Sequence, residues 1–103
     1  LAPLQAKILP ISDKFMGYAQ EVYQALKKAG VRVEIDDRSE KIGKKIRDTE
    51  LMKVPYMLVI GEKEMNEGQL SIRRQGKGDM GAVALNSFIE TIKEEILERK
   101  SGD

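Results

Sequence analysis

Apolar residues recur along this chain in two rhythms that alternate with each other. Residues 5–11 (QAKILPI) form a short apolar run with Pro10 near its end, the pattern of a strand. Ser12 and Asp13 are candidate N-caps for a helix after it. Phe15, Ala19, Val22, Tyr23 and Leu26 then fall at helical spacing and define one apolar face. Lys27 and Lys28 suit the negative end of that helix, and Gly30 supplies a left-handed stop. Residues 31–35 (VRVEI) alternate apolar and charged positions, which predicts a second strand. A second helix is expected over about residues 40–53, opened by Asp37 and Glu40 at capping-box spacing. In it Ile42 and Ile46 point inward, while Lys41, Lys44, Lys45 and Arg47 cover the outside. Residues 54–60 (VPYMLVI) are the most hydrophobic run and read as a central buried strand, with Pro55 near its start. Residues 62–68 read as a polar turn, 70–74 (LSIRR) as an antiparallel strand, and 76–81 as a flexible glycine loop. Ser87 and Glu90 repeat the capping-box pattern before a last helix whose stripe is Phe88, Ile89, Ile92 and Ile96.

Two strand–helix–strand units, a hairpin and a closing helix predict an α/β domain of three layers, α/β/α. The sheet should be mixed but mainly parallel, with four to five strands and three helices. The first three strands are expected to be parallel because crossover helices join them. One domain over residues 1–103 is expected, with residues 1–4 as a lead-in linker.

Composition narrows the chemistry. With no Cys, disulfides, thiol catalysis and cysteine metal sites are excluded; with no His, the usual proton shuttle and commonest metal ligand are missing. No apolar run reaches the roughly 20 residues of a membrane helix, so no membrane partner is expected. A binding module is what remains. The net charge of +1 is unevenly spread: residues 38–77 hold ten basic and six acidic residues, a local +4, while the rest holds eight and eleven, or −3. A basic middle on a near-neutral chain points to a polyanion, against the plainer alternative of a solvated mixed surface.

Four features could carry chemistry. Residues 76–81 spell Gly-x-Gly-x-x-Gly, but a dinucleotide site needs this run between the first strand and its helix, so a surface loop is the better reading. Asp36 and Asp37 are adjacent at a strand end and diverge; helix capping or an ion pair with Arg38 or Lys41 accounts for them better than a magnesium site. The lysine-rich helix is either an exposed amphipathic helix or an anion site. Its N-terminus lies at the carboxyl end of the parallel strands, where phosphate or an RNA base edge would be met. Arg73 and Arg74, as strand neighbours, must face opposite sides of the sheet. None of Tyr18, Tyr23 and Tyr56 is an evident stacking platform.

The run Asp37-Arg38-Ser39-Glu40-Lys41-Ile42-Gly43-Lys44-Lys45-Ile46-Arg47, followed by Val54-Pro55-Tyr56-Met57-Leu58-Val59, resembles the anticodon-binding domain of class II aminoacyl-tRNA synthetases. The prolyl, histidyl and glycyl members share the fold; the threonyl members are the most similar. Leu1-Ala2-Pro3-x-Gln5 is similar to the junction with their catalytic domain, and Gly61-x-Lys63-Glu64 and the Arg73 strand also fit. The resemblance implies a domain that docks on the anticodon stem-loop of threonine tRNA and reads its second and third bases, G and U. It implies Ser39, Lys41, Lys53, Glu64 and Arg73 as base-reading residues, with Arg38, Tyr56 and Arg74 in support. Ser39 stands where the family commonly has Asn, and Lys53 where it commonly has Arg. The resemblance further implies that this chain is no enzyme and holds no cofactor. ATP, Mg2+ and Zn2+ belong to the catalytic domain of a cytoplasmic parent ligase. The parent would be a homodimer and this piece monomeric. The alternative is a stand-alone protein-interaction or regulatory module, which would not need Lys41, Glu64 and Arg73 together.

Overall fold

In the computed structural model, residues 4–102 are described, with side chains for residues 4–97. The predicted linker over 1–4 therefore lies, apart from Leu4, outside the described residues. The chain runs β1 (Ala6–Pro10), a 3-10 turn (Asp13–Phe15), α1 (Met16–Lys28), β2 (Val33–Ile35), α2 (Ile42–Leu51), β3 (Tyr56–Ile60), α3 (Glu62–Glu67), β4 (Gln69–Arg74), β5 (Gly78–Ala84) and α4 (Leu85–Gly102). The five strands form one sheet in the order β2-β1-β3-β4-β5. β1 pairs in parallel with β2 and β3, and β4 runs antiparallel to both β3 and β5. The expected parallel half is thus present, with an antiparallel extension on one edge.

Period-two alternation sorts the strand residues between two faces. Ala6, Ile8, Tyr56, Leu58, Ile60, Leu70 and Ile72 form one buried cluster with Ala19, Val22 and Leu26 of α1 and Phe88 and Ile92 of α4. The other face presents Leu9 and Met57, both fully buried, and α2 packs there against β1. Two helices on one face and one on the other give the three layers.

The structure corrects the expectation in five places. First, Glu62–Glu67 form a helix, not a turn, so the described residues hold four α-helices rather than three. Glu64 Oε1 accepts from the Gly61 N–H at 2.7 Å across the first turn, and Gly68 ends the helix at φ 66°. Second, the glycine loop is largely strand β5. Gly78 and Gly81 adopt φ 83° and 90°, and the ladder shifts register between Ile72 and Arg73, so the glycines build a bulge rather than a free loop. Third, α2 begins at Ile42, with Lys41 as an N-cap that makes no side-chain capping bond; the Asp37–Glu40 box does not form. Fourth, Lys45 is buried at 4% exposure together with Thr49, whereas Ile42 and Ile46 are only partly buried. Fifth, α4 starts at Leu85, so Ser87 is already inside it and its carbonyl accepts from Thr91 Oγ1 at 3.0 Å. Ser12 does cap, through Lys14 N–H to Ser12 Oγ at 3.2 Å, but it caps the 3-10 turn that leads into α1.

Candidate nucleic-acid interface

The ends of β1 and β2 and the start of α2 meet at the carboxyl edge of the parallel strands. The chain leaves β2 with Asp36 N–H donating to Ile8 O at 2.9 Å. Asp36 is 3% exposed, and its carboxylate is gripped by Arg38. Arg38 Nε donates to Oδ1 at 2.9 Å, Nη2 to Oδ2 at 2.8 Å, and the Arg38 backbone N–H to Oδ1 at 3.2 Å. Arg38 Nη1 reaches on to Asp48 Oδ2 at 3.0 Å, and Lys44 Nζ meets the same oxygen at 3.1 Å. These hydrogen bonds hold both carboxyls below the usual carboxylate range, Asp36 through Arg38 and Asp48 through Arg38 and then Lys44. The same bonds keep the Arg38 guanidinium more firmly protonated than usual. Asp36 therefore spends its charge inside the protein, as the ion-pair reading of the sequence expected. Among the described residues no cluster of three or more acidic side chains is placed to hold a metal.

Beside this network opens a cleft of about 560 Å³. One wall is residues 10–13 with Met16; the other is residues 38–41 with Lys45. Ser39 and Lys41 are exposed on the second wall. Glu64 stands at its margin: a Cβ built on Gly61 would lie 2.9 Å from Ile11 Cδ1 and 3.1 Å from Glu64 Oε1, so the carboxylate and the cleft-lining Ile11 are neighbours. With Oε1 on the Gly61 N–H, Oε2 is the oxygen left to accept from a ligand.

Arg73 lies further along the same side. It is cross-strand from Met57, which places it on the α2 face. Its Nε is buried and, among the described residues, is the buried side-chain nitrogen or oxygen without a hydrogen-bond partner. Lys53 comes after α2 in the left-handed region at φ 60°, an unusual conformation for lysine, and is exposed. Lys41 and Lys53 lie at opposite ends of α2, a helix of ten residues and about 15 Å. The five positions therefore do not form one pocket: Arg73 faces the α2 side, whereas Glu64 lies beside Ile11 and within electrostatic reach of Tyr18 on α1. Ser39, Lys41 and Glu64 gather at the carboxyl edge, and Lys53 and Arg73 lie toward the other end.

Tyr56 and Arg74 stand on the opposite face of the sheet from Arg73. The Arg74 guanidinium sits 4.9 Å over the Tyr56 ring, and Tyr56 Oη donates to Glu95 Oε1 at 2.6 Å. Phe88 meets the Tyr56 ring edge-on at 5.2 Å. The divergence of Arg73 and Arg74 is the one that strand alternation required. Sequence reasoning missed buried Lys45, whose Nζ donates to Pro10 O at 3.1 Å and Asp36 O at 3.2 Å. The signal was present: Ile42, Lys45 and Thr49 are spaced three and four apart, so they share one helical stripe.

Known proteins resemble this chain in sequence and in fold. A family model described as an anticodon binding domain matches residues 5–95. A threonine–tRNA ligase of Clostridioides difficile (strain 630) is 55% identical over 101 residues, covering 98% of this chain and 16% of that protein. The solved RNA-binding domain of threonyl-tRNA synthetase from Cryptosporidium parvum Iowa II superposes with a TM-score of 0.84 at 33% identity, covering 90% of this chain and 24% of that one. Histidyl-tRNA synthetase from Nostoc sp. PCC 7120 shares the fold, with a TM-score of 0.83 at 24% identity over 92% of this chain and 23% of that one. The chain spans about 16% of the length of the curated relatives it matches.

Proposed function

The chain belongs to the anticodon-binding-domain family, and from that membership we propose that it is the tRNA-reading module of a threonyl-tRNA synthetase. The observation that carries this reading is the family match over residues 5–95, together with 55% identity over 101 residues to a threonine–tRNA ligase. The RNA is the anticodon stem-loop of threonine tRNA, laid along the α2 side of the sheet. The second and third anticodon bases, G and U, are the ones read.

The geometry supports a division of labour. Arg73 offers a planar fork, with an Nε that nothing in the described protein engages, to a guanine edge or a phosphate. Glu64 Oε2 accepts from a base amino group. Ser39 is a short donor and acceptor at the cleft, and Lys41 and Lys53 supply positive charge at the two ends of α2. Arg38 is already committed to Asp36 and Asp48, so its part is to hold the segment on which Ser39 stands. Threonine activation, with its ATP, Mg2+ and Zn2+, is assigned to the catalytic part of the longer parent, a cytoplasmic homodimer. This piece alone is a monomer that performs no chemistry.

The test is a fluorescence titration against two labelled stem-loops, one with the threonine anticodon and one with its second and third bases exchanged. A preference of at least about tenfold, or about 1.4 kcal/mol, is expected. Binding should also weaken with salt at a log–log slope of about −2 to −3, for three or four phosphate contacts on a single-stranded loop. Equal affinity for the two loops would remove base reading. No binding at all would favour a protein-interaction module.

A further inference from the structure

The least expected side chain in this domain is Lys45. A lysine ammonium taken out of water is costly unless its donors are used, and at 4% exposure a methionine would fill the space without that cost. The ammonium is spent on two backbone carbonyls. Pro10 O is the last carbonyl of β1 and Asp36 O the first beyond β2. Asp36 is thereby pinned three ways: its N–H by Ile8 O, its carbonyl by Lys45, and its carboxylate by Arg38. At the other end of the loop, Lys41 O accepts from both Lys44 N–H and Lys45 N–H, each at 3.1 Å. The segment 36–41, which carries Ser39 and Lys41, is thus held at its Asp36 end by the Lys45 side chain and at its Lys41 end by the first backbone bonds of α2.

We propose that Lys45, acting with Asp36, is a positioning residue: a buried clamp that sets the conformation of segment 36–41 without touching RNA. The proposal rests on the RNA-binding reading for its functional consequence, but the clamp can be judged without RNA. A residue that acts through carbonyls adds no phosphate contact. It therefore differs measurably from Lys41 or Lys53, whose loss should reduce the salt slope by about 0.7 each.

Three readouts test it. In the intact chain, Lys45 should resist acetylation by a soluble amine reagent, with or without stem-loop, while Lys41 and Lys53 react and are shielded by RNA. In Lys45→Met, backbone amide exchange over residues 37–41 should quicken about tenfold or more while that of β3 stays unchanged. Affinity for the threonine stem-loop should fall about fivefold at an unchanged salt slope. Should Lys45→Met fail to fold, Asp36→Asn, which frees the same segment from its other anchor, carries the exchange and affinity readouts. Ready acetylation of Lys45, unaltered exchange over 37–41 in a folded variant, or a salt slope reduced by about 0.7 would each overturn the proposal. If the unaltered chain binds no stem-loop, the functional reading fails, and exchange still decides the clamp.

Discussion

Arg73→Ala is expected to weaken binding of the threonine anticodon stem-loop by about 10- to 100-fold, the 1–3 kcal/mol of a lost base contact. The residue is placed for recognition rather than for support. Its backbone is fixed in β4 between Met57 and Asp79, so the side chain leaves the sheet from a rigid base on the α2 face. Its Nε is buried yet engages no partner among the described residues, so part of its desolvation is already spent before RNA arrives. Arg73→Lys keeps the charge but loses the planar fork, and should recover only part of the affinity. Because that nitrogen holds nothing in the fold, the thermal melt should scarcely move. A titration read beside a melt separates the two, and unchanged affinity in Arg73→Ala would remove this residue from the site.

Leu58→Ala should do the reverse. Leu58 is fully buried at the centre of β3, in register with Ile8 on one side and Ile72 on the other. All three face the layer formed by α1 and α4. Truncation there leaves a cavity bounded by two strands and two helices that cannot all close in, and should cost about 2–5 kcal/mol. Against a typical total of about 5–15 kcal/mol this is a large share of the stability. Denaturant unfolding followed by circular dichroism measures it. At low temperature, where the variant remains folded, stem-loop affinity should match that of the unaltered chain, because none of the proposed binding positions belongs to Leu58's buried cluster. A loss below about 1 kcal/mol would mean that β3 is not the centre of the core.

These two positions also show what the sequence made legible. Leu58 sits in the most hydrophobic run, and two strand–helix–strand rhythms around that run were enough to predict that β1, β2 and β3 run parallel, though not their order in the sheet. Arg73 and Arg74 diverge for the simple reason that strand neighbours must. What failed to show was local and had local causes. α3 is six residues long and carries no apolar stripe, so only the Gly61–Glu64 cap and the Gly68 stop could have marked it. β5 is rich in glycine because its bulge needs left-handed positions, and glycine reads as loop. Lys45 defied the rule that lysine lies outside, since two converging carbonyls satisfy its charge. The proposed binding positions came from the family resemblance rather than from periodicity. The structure puts Arg73 on the α2 face and Glu64 beside Ile11, and it puts Tyr56 and Arg74 on the far face, where Tyr56 meets Glu95 and Phe88 and Arg74 sits over the Tyr56 ring.

The separation of the two faces can be read in one NMR titration of isotope-labelled chain with the threonine stem-loop. The expected result is that side-chain and amide signals of Ser39, Lys41, Lys53, Glu64 and Arg73 shift, while those of Arg74, Phe88 and Thr91 stay in place. Shifts concentrated around Arg74, Phe88 and Thr91, with the α2 side quiet, would refute the proposed binding positions and move the RNA to the α4 face.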